Sequence, residues 1–385
     1  MKKQLATIAL IGISLSTIFA QELVKDINPN TADSEPRNFS KIGDKAFFVA
    51  EAQGSGIELW TTDGTEAGTV LLKDIDAGNG QGVSGDVEVL ELNGNAIFSA
   101  NDGNAGTELW ISDGTTAGTN LLKEIHGSPT AGNGSYPKYL TKMGNEIFFN
   151  ASDKFAGVYN EELWKTDGTA AGTVMVKEIN TSTRSRPEYL AEMNGKIYFS
   201  ANDGTGKSLW ATDGTEAGTV LIKSNSGGAD FSPKYITKMG NEIFFSGYDS
   251  GNNTELWKSD GTTAGTTLAV DVNAGSGYGY SRTLDTMGGK LYFVGSDGTT
   301  GEELWVTDGT SANTSLVRDI DPGPNGSLIF TNRPIVFNGK IFFRADDGTS
   351  SDTWVSDGTT LGTVTLGIRG MSSPTIFNNK LYFSS

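Results

Sequence analysis

A tryptophan followed by an Asp-Gly-Thr triplet recurs seven times in this 385-residue chain, and no other feature constrains the fold as strongly. Successive tryptophans lie 46 to 54 residues apart, and each triplet begins three residues after its tryptophan. The tryptophans are Trp60, Trp110, Trp164, Trp210, Trp257, Trp305 and Trp354, and the aspartates are Asp63, Asp113, Asp167, Asp213, Asp260, Asp308 and Asp357. Self-similarity at a period of roughly 20–50 residues is typical of solenoids, propellers and repeat arrays. We therefore expect one supersecondary unit repeated along the chain.

Each period contains four short segments with the patterning of β-strands. In the third copy they are residues 139–143, 146–150, 162–166 and 173–179, and the Gly144-Asn145 pair between the first two suits a tight hairpin. After residue 20 the apolar residues show no sustained helical period. Four strands per repeat predict an all-β fold, a β-propeller of four-stranded blades. A β-solenoid or a string of separate small sheets fits less well, because solenoid coils are shorter and a lone small sheet has little core.

The two ends of the chain bear on the number of blades. Residues 23–27 repeat the fourth-strand text of residues 71–75, and residues 375–383 form a further pair of first and second strands. An eight-bladed ring would use both fragments together, with the amino-terminal strand completing the last, incomplete blade. A seven-bladed ring would leave both fragments as exposed sheet edges. The sequence favours eight blades, with seven as the alternative, in one domain over residues 21–385 that holds seven full repeats plus a partial one.

Residues 1–20 have the layout of a secretory signal peptide. Lys2 and Lys3 give a positive start, residues 5–19 are mostly apolar, and cleavage after Ala20 would leave Gln21 first. The apolar run is short for a membrane span, which needs about 20 residues, and no other segment is long and apolar enough. The sequence predicts an exported protein, extracellular or at the cell surface, with the periplasm as the alternative and without membrane insertion.

The composition excludes several classes of function. The chain has 29 Lys and Arg against 46 Asp and Glu, a formal net charge of −17, so a nucleic-acid partner is not expected. It has no Cys and one His, which rules out disulfides, a cysteine nucleophile and a thiolate or two-histidine metal site within the chain. We expect no cofactor and a monomer.

The repeat text resembles that of the bacterial ELWxxDGT-repeat family of secreted and surface proteins. The resemblance covers residues 22–385 and is carried by Glu58-Leu59-Trp60 with Asp63-Gly64-Thr65 and by the corresponding residues of the other copies. Ser208 and Asp352 depart from the pattern in place of Glu, and Thr353 departs in place of Leu. The resemblance implies export and a repeat architecture, and it brings no established activity or catalytic residues.

The repeated residues are interpreted as structural. An Asp side chain that caps backbone N–H groups beside a Gly with positive φ explains the triplet, and a catalytic residue is not needed seven times. Each tryptophan is expected to pack between blades, with sugar stacking as the alternative. A second group of acidic turns precedes the third strands, and calcium is the alternative there because Asp oxygens are suitable ligands. These turns hold Asp102, Asp203, Asp297 and Asp347, with Asp153 and Asp249 at the same point in their copies.

Candidate binding residues lie in the loops that differ most between copies. These loops connect a fourth strand to the next first strand, and binding residues are often found on such loops over a rigid scaffold. The candidates are His126, Tyr136, Arg184, Arg186, Phe231, Tyr278, Tyr280 and Arg282, with Asn332-Arg333 and Asp230 in equivalent loops. Their mixture of aromatic and Arg side chains would suit a glycan or a protein surface.

The sequence favours a secreted, non-enzymatic binding or adhesion propeller that engages a polysaccharide or a surface protein. No distinct catalytic constellation stands out from the repeated text. One alternative is a carbohydrate-active hydrolase or lyase, with acids or His126 near the central channel. The other is a structural module of a larger adhesin.

Overall fold

A computed structural model describes residues 23–29, 33–78, 80–127, 134–155, 158–225, 230–248, 253–273, 279, 282–328, 334–377 and 379–384. Blade 1 consists of β1 (Arg37–Ile42), β2 (Lys45–Ala52), β3 (Gly56–Thr62) and β4 (Val70–Leu71). Blade 2 consists of β5 (Leu90–Leu92), β6 (Asn95–Asn101), β7 (Thr107–Ser112) and β8 (Asn120–Lys123). Blade 3 consists of β9 (Lys138–Met143), β10 (Glu146–Phe155), β11 (Val158–Thr166) and β12 (Val174–Lys177).

The later blades repeat this order. Blade 4 consists of β13 (Glu188–Met193), β14 (Lys196–Asn202), β15 (Lys207–Thr212) and β16 (Val220–Lys223). Blade 5 consists of β17 (Lys234–Met239), β18 (Glu242–Tyr248), β19 (Thr254–Ser259) and β20 (Thr267–Val270). Blade 6 consists of β21 (Arg282–Met287), β22 (Lys290–Gly295), β23 (Glu303–Thr307) and β24 (Ser315–Arg318), and blade 7 of β25 (Ile335–Phe337), β26 (Lys340–Asp346), β27 (Ser351–Ser356) and β28 (Val364–Arg369).

The chain forms seven four-stranded antiparallel sheets and one two-stranded sheet, β29 (Ser372–Phe377) with β30 (Lys380–Ser384). The all-β propeller is therefore confirmed, and its count of four-stranded blades is seven, the alternative. The sequence favoured eight blades, with the last, incomplete one completed by the amino-terminal strand. Among the described residues the last sheet instead has two strands, and residues 24–29 form no strand. Leu23 makes an isolated bridge.

The β29–β30 hairpin nevertheless lies within the ring. Each first strand contacts the first strand of the next blade, and β29 contacts both β25 and β1. The Thr375 hydroxyl donates a 2.8 Å hydrogen bond to the carbonyl of Phe39 in blade 1. The amino-terminal segment contacts blade 1 on its outer side, where Lys25 Nζ donates to the carbonyl of Thr69 at 2.7 Å. The physical reason is that the amino-terminal segment packs on blade 1, where Ile27 is buried beside Phe48 and Trp60, and forms no strand.

The core lies between blades rather than within them. In β10 the adjacent residues Phe148 and Phe149 are both fully buried, since each face of the sheet is covered by a neighbouring blade. Phe149 belongs to a cluster shared with Leu109 of blade 2, and Phe148 to one shared with Phe199 of blade 4. Burial on both faces explains why the second strands are continuous apolar runs.

The tryptophans occupy these inter-blade clusters. Trp110 packs against Phe47 and Leu59 of blade 1, and Trp354 packs against Tyr292 of blade 6. A basic side chain of the preceding blade lies over the indole: the ammonium nitrogen of Lys73, two residues after β4, is 5.6 Å from the centroid of the Trp110 ring. The indole thus joins each blade to the one before it.

The Asp-Gly-Thr triplet closes the turn between the third and fourth strands. In blade 3, Asp167 Oδ1 accepts hydrogen bonds from the backbone N–H of Thr169 at 2.9 Å and from its hydroxyl at 2.7 Å. Gly168 has φ +90°, a conformation that glycine adopts without a Cβ penalty. The hydroxyls of Thr166 and Thr173 lie 2.7 Å apart across the turn. The hydrogen bond that the Thr hydroxyl donates to the Asp carboxylate recurs in all seven copies.

Among the described residues, no helix is long and apolar enough to pass through a membrane.

Candidate functional site at the channel mouth

Three tyrosines mark the mouth of the central channel on the face that carries the variable loops. Tyr139, Tyr189 and Tyr235 are each the second residue of the first strand of blades 3, 4 and 5. Each follows a Pro-Lys or Pro-Glu pair, and each has a positive φ, between 54° and 59°. The pairing of the first and second strands shifts register at this point, as a β-bulge does. A bulge re-aims a side chain, and a bulky residue in the left-handed region is uncommon, so the position is a strong candidate for a functional one.

The tyrosine rings form a continuous arc, hereafter the tyrosine arc. The ring centroids of Tyr139 and Tyr189 are 5.7 Å apart, and those of Tyr189 and Tyr235 are 5.1 Å apart in an edge-to-face arrangement. The guanidinium carbon of Arg282 lies 4.9 Å from the ring centroid of Tyr235. The arc therefore spans three blades and ends on the Arg282 side chain of a fourth.

Two phenols of the arc, those of Tyr139 and Tyr189, keep their protons at neutral pH. Burial raises the pKa of Tyr189 to about 12, and the neighbouring Tyr235 and Glu188 act in the same direction. Burial also raises the pKa of Tyr139. Tyrosine offers an aromatic face for stacking and a hydroxyl group that donates and accepts hydrogen bonds.

A cleft of about 470 Å³ adjoins the arc between blades 2 and 3. Tyr139 lines it together with Tyr136, Lys138, Asp86 and Glu88. The Glu88 carboxylate also accepts a 2.8 Å hydrogen bond from the backbone N–H of Leu140, which ties the two blades together. The cleft lengthens the arc on the side away from Arg282.

The structure brings several of the predicted loop residues to this mouth. Tyr136 is 45% exposed and lines the cleft, and Arg282 ends the tyrosine arc. Arg184 and Arg186 are both exposed, and their guanidinium groups lie 4.0 and 3.7 Å from Oε2 of Glu161. Tyr278, Tyr280, Asn332 and Arg333 lie outside the described residues.

Two predicted ligand residues are instead buried. His126 is 3% exposed, and its backbone N–H donates a 3.2 Å hydrogen bond to Oε1 of Glu108. Phe231 is fully buried and packs edge-to-face on Phe245 and Trp257. The loop position of each residue was predicted from the sequence, but the direction of the side chain depends on the neighbouring blade.

The acidic turns before the third strands are closed by their own backbone. Asp102 Oδ1 accepts the N–H groups of Asn104 and Ala105 at 2.9 Å, and Asp297 Oδ1 accepts those of Thr299 and Thr300 at 2.8 and 2.9 Å. Among the residues that the structure describes, no three His, Asp or Glu side chains are grouped so that they could hold a metal ion. Asp249 lies outside this part of the chain.

The Glu of the repeat text anchors the loops around the mouth. Glu162, at the start of the Glu-Leu-Trp text in β11, is fully buried, and its carboxylate accepts hydrogen bonds from the N–H groups of Ile179, Asn180 and Ser185 at 3.0, 3.4 and 3.1 Å. The Ser185 hydroxyl donates a further 2.5 Å bond. Glu108 with Ser135, and Glu303 with Ser327, repeat the short bond. Each loop is thus held from beneath by the preceding third strand.

In blade 4 a serine and a phenylalanine replace the Glu and Ser of this polar pair. Ser208 stands at the Glu position, and the backbone N–H of Phe231 bonds to the carbonyl of Lys207, as that of Ser185 bonds to Glu161. Phe231 therefore occupies the place of Ser185, and its ring lies in the core beside Phe245. Ser208 in place of Glu and Phe231 in place of Ser are therefore coupled substitutions. The coupled change at these two positions was the signal in the sequence that Phe231 is a core residue.

The buried carboxylates make stability depend on pH. Burial raises the pKa of Glu58, Glu162 and Glu303 to about 7 from the ordinary value of 4.5. Between these values the folded protein binds more protons than the unfolded chain, so the free energy of unfolding falls as the pH rises through this window. The hydrogen bonds from Thr169 lower the pKa of Asp167, so the contribution of that turn is lost only under more acidic conditions, as the pH falls below 3.8.

We therefore expect the midpoint of urea unfolding to be higher at pH 5 than at pH 8. Glu162→Gln does not titrate, so this variant is expected to show a smaller difference between the two pH values. A wild-type midpoint that increases from pH 5 to pH 8 would contradict the assignment.

The tyrosine arc itself was not predicted. The available signal was the Pro-Lys-Tyr or Pro-Glu-Tyr text, which occurs before the first strand in three consecutive copies. Periodicity identified residues 139–143 as a strand, but a strand pattern does not show which residue of the strand faces the channel.

No family model matches the chain, and no curated protein matches it. Among solved structures, it is similar to a puromycin hydrolase mutant, at 14% identity over 90% of this chain and 57% of that chain, with a TM-score of 0.55. It is also similar to a prolyl endopeptidase, at 12% identity over 86% and 50% of the two chains with a TM-score of 0.55. Oligopeptidase B from Leishmania major matches at 8% identity over 87% and 49%, with a TM-score of 0.51. The chain spans about half the length of these proteins. At such low identity the likeness shows the fold alone, which is that of a β-propeller.

Proposed function

We propose that this chain is a binding propeller that engages a polysaccharide at the channel mouth through the tyrosine arc. The single observation that supports this most is the arc itself, three tyrosine rings from three consecutive blades placed at one bulged position. Sugar rings have apolar faces that pack on aromatic rings, and hydroxyl groups that exchange hydrogen bonds with phenols. The adjoining cleft of about 470 Å³ has room for further sugar units.

Binding is favoured over catalysis by the chemistry of the same residues. The raised pKa values of Tyr139 and Tyr189 leave both phenols neutral, so neither serves as a general base near neutral pH. His126, the one histidine, is 3% exposed and therefore poorly placed to meet a substrate. Export to the cell surface is part of this proposal and rests on the sequence, and a structural module of a larger adhesin remains the alternative from the sequence.

A second candidate is a propeller domain that accompanies a peptidase. The solved proteins of similar fold include a puromycin hydrolase, a prolyl endopeptidase and an oligopeptidase, and this chain spans only about half of each. In that case the channel mouth would receive a peptide. The same tyrosines would be involved, so the two candidates differ in the ligand class that they predict.

Tyr189 lies between the other two rings, so Tyr189→Ala is expected to weaken polysaccharide binding about tenfold or more, since stacking on one aromatic ring contributes on the order of 1–2 kcal/mol. Tyr189→Phe keeps the ring and is expected to stay within about twofold of the wild type. The measurement is a glycan array followed by titration calorimetry with the polysaccharide that binds best. A peptide library on the same array tests the second candidate.

Leu361→Ala serves as the control, because this side chain is 93% exposed at a turn between third and fourth strands. Unfolding curves of all three variants verify that the fold is intact. If Tyr189→Ala binds as the wild type does, the arc is not the site.

A further inference from the structure

The two ends of the central channel differ in charge. At the end opposite the tyrosine arc, the fifth residue of the first strand is Lys41, Lys142 or Lys238 in blades 1, 3 and 5. The equivalent residue is Glu192 in blade 4 and Glu91 in blade 2, because each has the same register against the second strand of its blade. Signs therefore alternate around this end. Lys142 Nζ lies 2.5 Å from Glu91 and Lys238 Nζ lies 3.3 Å from Glu192, so the alternating charges neutralise one another between blades.

At the arc end the corresponding charges are mostly of one sign. The first residue of the first strand is Arg37, Lys138, Glu188, Lys234 or Arg282 in blades 1, 3, 4, 5 and 6, all at the same register against the second strand. Four of these five positions are basic in a chain whose net charge is −17. The acidic one, Glu188, forms an ion pair with Lys207 of its own blade.

Four other acidic groups at this mouth, those of Glu35, Glu88, Glu161 and Asp230, lie close to cationic groups or accept backbone N–H groups. Glu161 lies between Arg184 and Arg186, and Glu35 lies 3.4 Å from Arg37. Asp230 accepts the backbone N–H of Lys207, and Glu88 accepts that of Leu140. Asp86 lines the cleft beside blade 2, on the side of the arc away from Arg282.

Two of the basic side chains are held against aromatic rings. Arg282 lies over Tyr235, and the ammonium group of Lys234 lies 5.9 Å from the ring centroid of Tyr248. Guanidinium groups bind carboxylates and sulfates through N–H groups in the plane of the guanidinium. The arc thus ends on Arg282, and Lys234 precedes the Tyr235 that Arg282 covers. Lys138 is exposed at the other end of the arc.

We propose that the ligand is an anionic polysaccharide, whose sugar rings stack on the tyrosine arc while Arg282 and Lys234 bind a carboxylate or sulfate group. This inference rests on the proposed function and specifies its ligand class. The negative net charge repels such a polymer elsewhere, so the local cations direct it to this mouth.

The test compares matched polymers that differ in charge alone. Comparing dextran with dextran sulfate tests whether a sulfate group increases the affinity. Comparing methyl-esterified with free polygalacturonate tests the same for a carboxylate group. Binding of the full chain is measured by affinity electrophoresis and calorimetry. We expect one charged member to bind about tenfold or more tightly than its neutral partner, and its affinity to fall with added NaCl.

Arg282→Gln is expected to lower the affinity for the charged polymer about tenfold, to the affinity that the same variant has for the neutral polymer. Lys238→Gln is the matched control, because this lysine occupies the opposite end of the channel. An equal loss of affinity for the charged polymer in both variants would indicate general electrostatic attraction rather than a specific site, and it would overturn the inference.

The two proposals fail in different ways. Equal binding of charged and neutral polymers, with loss in Tyr189→Ala, would overturn the anionic ligand and leave the proposed function standing. If none of the polymers binds and the glycan array is also negative, the proposed function falls together with this inference.

Discussion

Replacing Trp164 with alanine is expected to reduce the free energy of unfolding by about 3–5 kcal/mol, the usual cost of removing a large buried aromatic side chain. The indole is 7% exposed and packs with Leu92, Ile97 and Leu109 of blade 2. The variant therefore opens a cavity between two blades rather than within one. Urea unfolding followed by circular dichroism measures the change.

Two further variants define the cause. Leu361→Ala removes a side chain that is 93% exposed and should change the unfolding free energy by no more than about 0.5 kcal/mol. Trp164→Phe retains part of the volume and should lose less than the alanine variant. If Trp164→Ala were as stable as Leu361→Ala, the indole would not join the blades as described.

The second large effect is expected at a buried glutamate. Glu162→Ala removes the acceptor of three backbone N–H groups and of the Ser185 hydroxyl, all of them in buried surroundings. Leaving such donors without a partner should reduce the free energy of unfolding by about 2–4 kcal/mol. Glu162→Gln keeps the shape and one acceptor oxygen and should be less destabilised. The same urea experiment at pH 7 compares the three proteins.

Blade 4 supplies a matched control for this prediction. The double variant Glu162→Ser with Ser185→Phe copies Ser208 and Phe231, where an aromatic ring fills the space of the polar pair. We expect the double variant to be more stable than the sum of the two single changes indicates, because buried polar groups are replaced by apolar contacts rather than left without partners. Strict additivity would show that the two positions are not coupled.

The anchoring of the loops has a consequence for the binding site. Ser135 and Ser185 immediately precede Tyr136 and Arg186, and their short bonds to Glu108 and Glu162 fix the chain just before the bulge. Tyr139 and Tyr189 each lie four residues after the anchored serine. For the proposed polysaccharide site, a rigid scaffold beneath the tyrosine rings would lower the entropic cost of binding.

Local residue chemistry was enough to predict the repeated parts of this molecule. The Asp-Gly-Thr turn is closed by bonds among neighbouring residues such as Asp167 and Thr169, so the text of one copy specifies it. The four strands per copy follow from short apolar runs and hairpin turns in the same way. All-β class, repeat architecture and propeller were therefore accessible from the sequence alone.

What depends on contacts between distant copies was decided only by the tertiary structure. The tyrosine arc joins side chains about 50 residues apart in the sequence, and the burial of His126 and Phe231 depends on the blade that lies against each loop. The number of complete blades depends on whether a third strand pairs with β30. A partial repeat in the sequence does not specify that pairing. Turns and strands form from neighbouring residues, whereas the direction of a side chain at the channel and the completion of a sheet depend on residues that only the closed ring brings together.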